Sequence, residues 1–253
     1  MGKSYVGITG FMSSKEVQTV LESVPESSGR LVMIGVLAGL KTLKSLPNKW
    51  PNRYPLVPNI PTIFSRHIKA FNLIHYSTDD KSTLPGQLFL LSYLCKEKLH
   101  GFQLNMAWPS VTLLGRFKND FPSKKLVLQV GRRALEEVNN SPEQLAARVA
   151  EYAGIAEYML LDPSGGKGEP FNPNLAREYL IAIKEKGLSL GLGVAGGLSP
   201  TTLNLVEPLV KEFPDLNIDA EGRLRTPEDH LDVEVAGRYL LGALKMFENK
   251  KSS

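Results

Sequence analysis

Glu157-Tyr158-Met159-Leu160-Leu161-Asp162-Pro163-Ser164-Gly165-Gly166-Lys167-Gly168 opens the stretch that decides the fold. It leads into Asn174 to Lys186, then Leu188 to Val194, then Ala195-Gly196-Gly197-Leu198-Ser199-Pro200. Glu157 to Leu161 is apolar and too short for an ordinary helix, as strands buried on both faces are. Asn174 to Lys186 has helical spacing, and Gly187 closes it as a left-handed cap would. Leu188 to Val194 is the next apolar run. Strand, helix, strand is the crossover that parallel strands require.

The same alternation extends in both directions. Apolar runs lie at Tyr5 to Thr9, Leu31 to Ala38, Asn72 to Tyr76, Gly101 to Asn105, Lys125 to Val130 and Leu216 to Asp219. Helix signals fall between them. Ser13 with Glu16 forms a capping-box pattern before Lys15 to Val24. Ser141 precedes Pro142 at a first helical position, and Ser199-Pro200 repeats that opening before Leu203, Val206 and Leu209. A last helix is expected over His230 to Phe247, from the spacing of Leu231, Val235, Tyr239 and Leu240. Eight such units predict one α/β domain over residues 1–253, a closed (βα)8 TIM barrel. An open doubly wound sheet is the rival, but no G-x-G-x-x-G follows the first strand. Residues 40–61 break the rhythm with Pro47, Pro51, Pro55, Pro58 and Pro61. Proline at that density predicts a semi-rigid loop after strand two, either a surface insertion or a substrate lid.

Composition narrows the function. The 253 residues carry a net charge of +4 and a single cysteine, Cys95. That excludes a disulfide framework and a cysteine-based zinc site. The basic excess is too small and dispersed to predict a nucleic-acid partner. No apolar run reaches membrane-spanning length, and no signal-peptide pattern opens the chain. A cytoplasmic protein with no membrane partner is expected.

Three segments carry candidate chemistry. Asp162 ends a buried strand before the glycines Gly165 and Gly166. Its carboxylate must be hydrogen-bonded there, either to tie the loop or to work as an acid. Gly196 and Gly197 link a strand to a helix start, where backbone N–H groups can face an anion. Gly222, after the last strand, supplies a second such turn, but Glu221 adjoins it. A carboxylate about 5 Å from a phosphate repels it by about 3 kcal/mol per unit charge at an effective dielectric near 20. Either Glu221 turns away, Arg223 or Arg225 offsets it, or the ligand is not a simple phosphate. Arg132, Arg133 and Lys167 also follow strands on the ligand side. His75 has a useful pKa range but an undetermined face, with a structural role the simpler reading. Trp108 is read as packing on the barrel. The histidines show no metal spacing, so no metal and no cofactor are expected. An aldolase would need a lysine inside the barrel at a strand end, and Lys125 instead begins its strand.

The order of these segments resembles phosphoribosylanthranilate isomerase, a (βα)8 enzyme of tryptophan biosynthesis. The likeness runs through Tyr5-Val6-Gly7-Ile8-Thr9, Gly101 to Asn105, Leu160-Leu161-Asp162, Gly165 to Phe171, Ala195 to Pro200 and Asp219 to Gly222. It implies an aldose–ketose rearrangement of a small anionic, phosphorylated sugar-type ligand. It implies Asp162 as general acid, Arg53 as the group for a ligand carboxylate, and Gly196, Gly197 and Gly222 around phosphate. The family's general base is a cysteine in a Lys-Ile-Cys-Gly-Ile-Thr segment, and Val6 stands there in this chain. Strand four reads Gln103-Leu104-Asn105-Met106 where the family has Gln-Leu-His-Gly. Valine cannot carry a proton, and losing a positioned base costs about a hundredfold to ten-thousandfold in rate. The resemblance therefore implies either an isomerase relative with altered chemistry or a non-catalytic binder of a phosphorylated metabolite or partner protein.

Overall fold

Each apolar run pairs in parallel with the next, and the last returns to the first. The computed structural model describes residues 2–163 and 171–249. The strands are β1 (Tyr5–Thr9), β2 (Leu31–Gly39), β3 (Ala70–Ser77), β4 (Gly101–Leu104), β5 (Lys125–Gly131), β6 (Tyr158–Asp162), β7 (Gly191–Ala195) and β8 (Asn217–Ala220). They form one closed barrel in sequence order. The helices are α1 (Ser14–Glu22), α2 (Leu40–Leu43), α3 (Ile60–Ile63), α4 (Leu84–Cys95), α5 (Val111–Asp120), α6 (Arg132–Glu136), α7 (Pro142–Ala150), α8 (Pro173–Glu185), α9 (Glu207–Glu212) and α10 (Val233–Glu248).

Caps define the helix starts. Ser13 accepts from the Glu16 backbone N–H while the Glu16 carboxylate accepts from Ser13, closing the expected capping box. Ser141 caps α7 with Pro142 in its first turn, and Gly187 follows α8 at φ +63°. The Ser199-Pro200 opening does not start a helix. Residues 203–205 form a single 3-10 turn, and α9 begins at Glu207 with Pro208 in its first turn. A continuous helix would put Pro208 in its interior, with no N–H and a clash one turn back. Strand seven starts at Gly191 rather than Leu188, because the chain uses 188–190 to return from the capped helix. The last helix starts at Val233, with Asp232 accepting from the N–H groups of Glu234 and Val235. Leu231 is taken instead by an antiparallel bridge to Arg225.

The segment between β2 and β3 is not loop throughout. It holds α2, a 3-10 turn at Val57–Asn59 and α3. Pro58 and Pro61 sit in the first turns of the last two, where a missing N–H costs nothing.

Strand alternation sorts the core. Val6, Ile8, Val32, Ile34, Ile218 and their counterparts face the helices. Tyr5, Met33, Phe71, Leu73, Val127, Tyr158 and Leu160 fill the lumen. Tyr5, Phe71 and Tyr158 close its N-terminal end, with ring centroids 5.4–5.8 Å apart. Asn217 fastens the closing seam. Its Oδ1 accepts from the Tyr5 N–H at 2.7 Å, and its Nδ2 donates to the Leu192 carbonyl at 2.8 Å. One buried amide thus ties β8 to both neighbours. Asn217→Leu should lower unfolding free energy by about 2–4 kcal/mol, because two buried backbone groups lose their partners. Urea denaturation with unchanged m-value checks it.

Candidate active site at the barrel mouth

The inward parity that puts aromatics at one end puts polar side chains at the other. A cleft of about 1390 Å³ opens at the C-terminal ends of the strands. It is lined by His75, Asn105, Gln129, Asp162, Asp219 and Glu221 among others.

Five of these belong to one hydrogen-bonded layer with Gln103 and Thr9. Gln129 donates through Nε2 to Asp162 Oδ2 at 3.1 Å. Gln103 Nε2 lies 3.1 Å from each of Gln129 Oε1, Asp219 Oδ2 and His75 Nδ1. Thr9 Oγ1 donates toward the Asp219 carboxylate, 3.1 Å from both oxygens. Asn105 Nδ2 meets His75 Nε2 at 2.9 Å. A neutral imidazole has one N–H, so one of the two amides must turn its oxygen to the ring. Asp162 and Asp219 are therefore joined through two glutamines across the floor of the cleft.

Burial sets the proton affinities. Asp219 is pushed up to about 7, first by desolvation, with the charges of Glu221 and Asp162 adding; its bonds from Gln103 and Thr9 oppose this. Desolvation lowers the His75 pKa, so its ring is neutral at pH 7. The floor thus pairs a buried carboxyl able to gain or lose a proton near neutrality with a neutral imidazole.

Strand one alternates in the same way. Val6 faces the helices, within the same apolar layer as Ile8, Val32 and Ile218. The lumen positions of β1 are Tyr5, Gly7 and Thr9. A β-carbon at Gly7 would lie 2.7 Å from Asp219 Oδ1 and 2.8 Å from the Met33 methyl. The space a strand-one side chain would fill is taken by the Asp219 carboxyl.

The glycine turns lie on the same rim. Gly196 and Gly197 have φ of +104° and +65°, which residues with a β-carbon rarely adopt. They line the cleft beside Gly222, the first residue of a 3-10 turn after β8. Gly165, Gly166 and Lys167 lie outside the described residues.

Arg53 lines the cleft, but its guanidinium is already engaged. It donates to both oxygens of Asp229 at 2.6–2.9 Å and to Glu221 at 2.9 Å. Its pKa is raised, chiefly by the bonds to Asp229. Neighbouring Asn52 donates to the Glu228 carbonyl. The proline-rich segment is thereby strapped to the loop after β8, and Arg53 pairs directly with Glu221, whose charge also acts on Arg225. Arg225 turns inward, to the Gly10 carbonyl at 3.1 Å. Arg132 and Arg133 line the cleft and pair with Glu136 and Glu137 one turn on. Trp108 is buried and donates to the Ala134 carbonyl at 3.0 Å. Lys125 lies at the opposite end of its strand, 3.5 Å from Glu157.

Solved structures place this architecture. The chain superposes on monomers of the dimeric phosphoribosylanthranilate isomerase from Thermotoga maritima with a TM-score of 0.64 and 14% identity, over 95% of this chain and 98% of that one. A second structure of that enzyme gives 0.61 and 17%, over 99% and 100%. The fold these structures share with the chain is the closed (βα)8 barrel. An aldolase, QR15, aligns at 0.56 and 12%, over 99% and 96%. Identities this low carry the fold alone. No family model matches the chain, and no curated protein matches it. Among the described residues, no helix is long and apolar enough to cross a membrane.

Sequence reasoning reached Asp162 and the paired glycines. It missed Asp219, Gln103, Gln129 and the inward face of His75. Polar residues spaced two apart inside otherwise apolar strands were the available signal.

Asp219 also makes stability depend on pH. Its folded pKa lies above the unfolded value, so the contribution is complete below about pH 4 and lost as pH rises through about 7. Asp219→Asn should remove that slope. Relative to wild type it should gain about 2–4 kcal/mol between pH 4 and pH 8, read by thermal melts across that range.

Proposed function

We propose that this barrel is an aldose–ketose isomerase acting on a small, phosphorylated sugar-type metabolite. The observation that carries the reading is the joint placement of Asp162 and Asp219 on one cleft floor beside the Gly196-Gly197 turn. Asp162 serves as general acid in the active form in which it carries the proton and Asp219 is ionised, giving that proton to the ring oxygen as the ring C–O bond breaks. The base takes the proton from the neighbouring carbon, leaving an enol or enamine that tautomerises to the ketose. Asp219 is assigned that base. It lies at the lumen position of strand one that Gly7 leaves open, and its raised pKa keeps it able to exchange a proton near pH 7. Gly196, Gly197 and Gly222 hold the phosphate through backbone N–H groups.

The reading departs from phosphoribosylanthranilate itself. Arg53, which the resemblance assigned to a ligand carboxylate, is neutralised by Glu221 and Asp229. The substrate therefore presents no carboxylate at that position, unless it displaces both acids.

A second reading is a binding protein for a phosphorylated metabolite. The pairing of Arg53 with Glu221 and Asp229 favours it, because it occupies the guanidinium that the resemblance assigns to an isomerase substrate's carboxylate.

Turnover of aldose and aminoaldose phosphates by the purified chain tests the first reading. Asp162→Asn and Asp219→Asn should each lower kcat by about a hundredfold to ten-thousandfold. No turnover of any such compound, with thermal stabilisation retained, overturns the isomerase and leaves the binder. A ligand at a hundred times its Kd stabilises by about 2.7 kcal/mol. If neither inorganic phosphate nor any sugar phosphate raises Tm at millimolar concentration, both readings fail.

A further inference from the structure

The contacts around His75 decide which way two amides point. Gln103 Nε2 lies 3.1 Å from each of Gln129 Oε1, Asp219 Oδ2 and His75 Nδ1. With Asp219 ionised, the first two atoms can only accept, and the amide nitrogen carries two hydrogens. Turned over, Gln103 would set its own carbonyl oxygen against the Asp219 carboxylate and Gln129 Oε1. A hydrogen bond to a carboxylate is also about twice as strong as one between neutral groups. Gln103 therefore keeps its nitrogen inward and commits its hydrogens to Asp219 and Gln129.

His75 Nδ1 faces that nitrogen. A hydrogen on Nδ1 would point at an NH2 group, so Nδ1 is bare and the ring carries its hydrogen on Nε2. Burial keeps the ring neutral, so it has no second hydrogen. Asn105 lies 2.9 Å from Nε2 and has to meet it with an acceptor. It turns its carbonyl oxygen to the ring and its NH2 group to the cleft, which it lines. Asn105 follows β4 on the same inward parity as Gln103, with its backbone N–H held by the Tyr76 carbonyl at 2.9 Å. His75 is buried and Asn105 is exposed, so the ring supports the amide from below and the amide meets the ligand.

We infer that Asn105 is a further catalytic residue, a neutral donor to the substrate's C1 oxygen held by His75 as a positioning residue, and that it selects an aldose phosphate over an aminoaldose phosphate. The inference rests on the isomerase reading above and narrows its substrate class. In the ring-opened aldose, Asp219 takes the proton from C2. The C–H electron pair becomes the C1–C2 double bond, and the carbonyl π pair moves onto O1. The Asn105 NH2 stabilises the charge that develops there, as a preorganised donor does. The O2 proton then passes to O1, and Asp219 returns its proton to C1, which leaves the ketose carbonyl at C2. One Gln103 nitrogen touches both the base and the ring that holds the donor, so base and donor address neighbouring substrate atoms. In an aminoaldose, C1 carries nitrogen as a protonated imine. Loss of the C2 proton there gives a neutral enamine, with no C1 oxygen for the donor to meet. The engagement of Arg53 by Glu221 and Asp229 agrees with a substrate that lacks an aryl carboxylate.

Two measurements test the inference, and the first needs no turnover. In protein labelled with 15N-histidine, long-range proton–nitrogen correlation at pH 7 should show His75 as the Nε2–H tautomer. Its signals are assigned by their loss in His75→Gln, or by elimination against His67→Gln, His100→Gln and His230→Gln. An Nδ1–H tautomer overturns the assignment. The second measurement compares tetrose, pentose and hexose phosphates with phosphoribosylanthranilate. Wild type should favour an aldose phosphate by at least about tenfold in kcat/KM. Asn105→Leu should lower kcat by about a hundredfold to a thousandfold with KM little changed. It should also raise the isotope effect of a C2-deuterated substrate, which a structural role would not. His75→Leu should lower kcat in the wild-type background but add nothing in Asn105→Leu, because it acts through that amide. Far-UV circular dichroism confirms that each variant is folded. An unchanged kcat in folded Asn105→Leu, or a preference for phosphoribosylanthranilate, overturns this inference and leaves the isomerase standing. No turnover of either class removes the isomerase, and the inference falls with it.

Discussion

A closed sheet gives every strand residue one of two destinations, and the closure between β8 and β1 enforces the choice. With eight parallel strands paired in order, a side chain enters the lumen or joins the layer under the helices. Asn217 holds the seam by bonding the backbone on both sides. A one-residue slip there would turn Gly7 outward and Val6 inward, and would leave Asp219 on the wrong face. The polar floor therefore depends on the register of this short seam.

Within the lumen the environment changes along the axis. Tyr5, Phe71 and Tyr158 make the N-terminal end an apolar plug. Four to five residues along the strands, the same inward positions hold Thr9, His75, Gln103, Gln129 and Asp162 or Asp219. Most of these groups are buried and bonded to one another, which makes the proton affinity of Asp219 depend on its neighbours. The raised Asp219 pKa follows from that arrangement: hydrogen bonds from Gln103 and Thr9 hold the carboxyl in place but do not offset its desolvation.

At the rim, charge is balanced across long sequence distances. Arg53 joins the segment after β2 to Glu221 and Asp229 beyond β8. The strap fixes the proline-rich segment over the cleft and neutralises the acid beside the glycine turns. The same contact that removes Arg53 as a free carboxylate receptor makes the Gly222 side of the mouth more hospitable to an anion.

Much of this was legible in the chain. Eight apolar runs, the Ser13–Glu16 box, the Ser141-Pro142 start, Gly187, Asp162 at a strand end and the Gly196-Gly197 turn are local patterns, and local patterns are set by neighbours within four residues. Other features were not local. The break before α9 turned on Pro208, a single residue inside an otherwise helical spacing. The partners of Arg53 lie far along the chain, and no spacing rule connects them. Val6 and Gly7 differ only in which way the strand is rotated, and only the pairing of β1 with β2 and β8 settles that. Sequence by itself determined the number and order of strands and helices, because hydrophobic period and capping act over short range. The tertiary structure alone decided which side chains meet at the mouth, because closing the barrel brings together residues that no periodicity links.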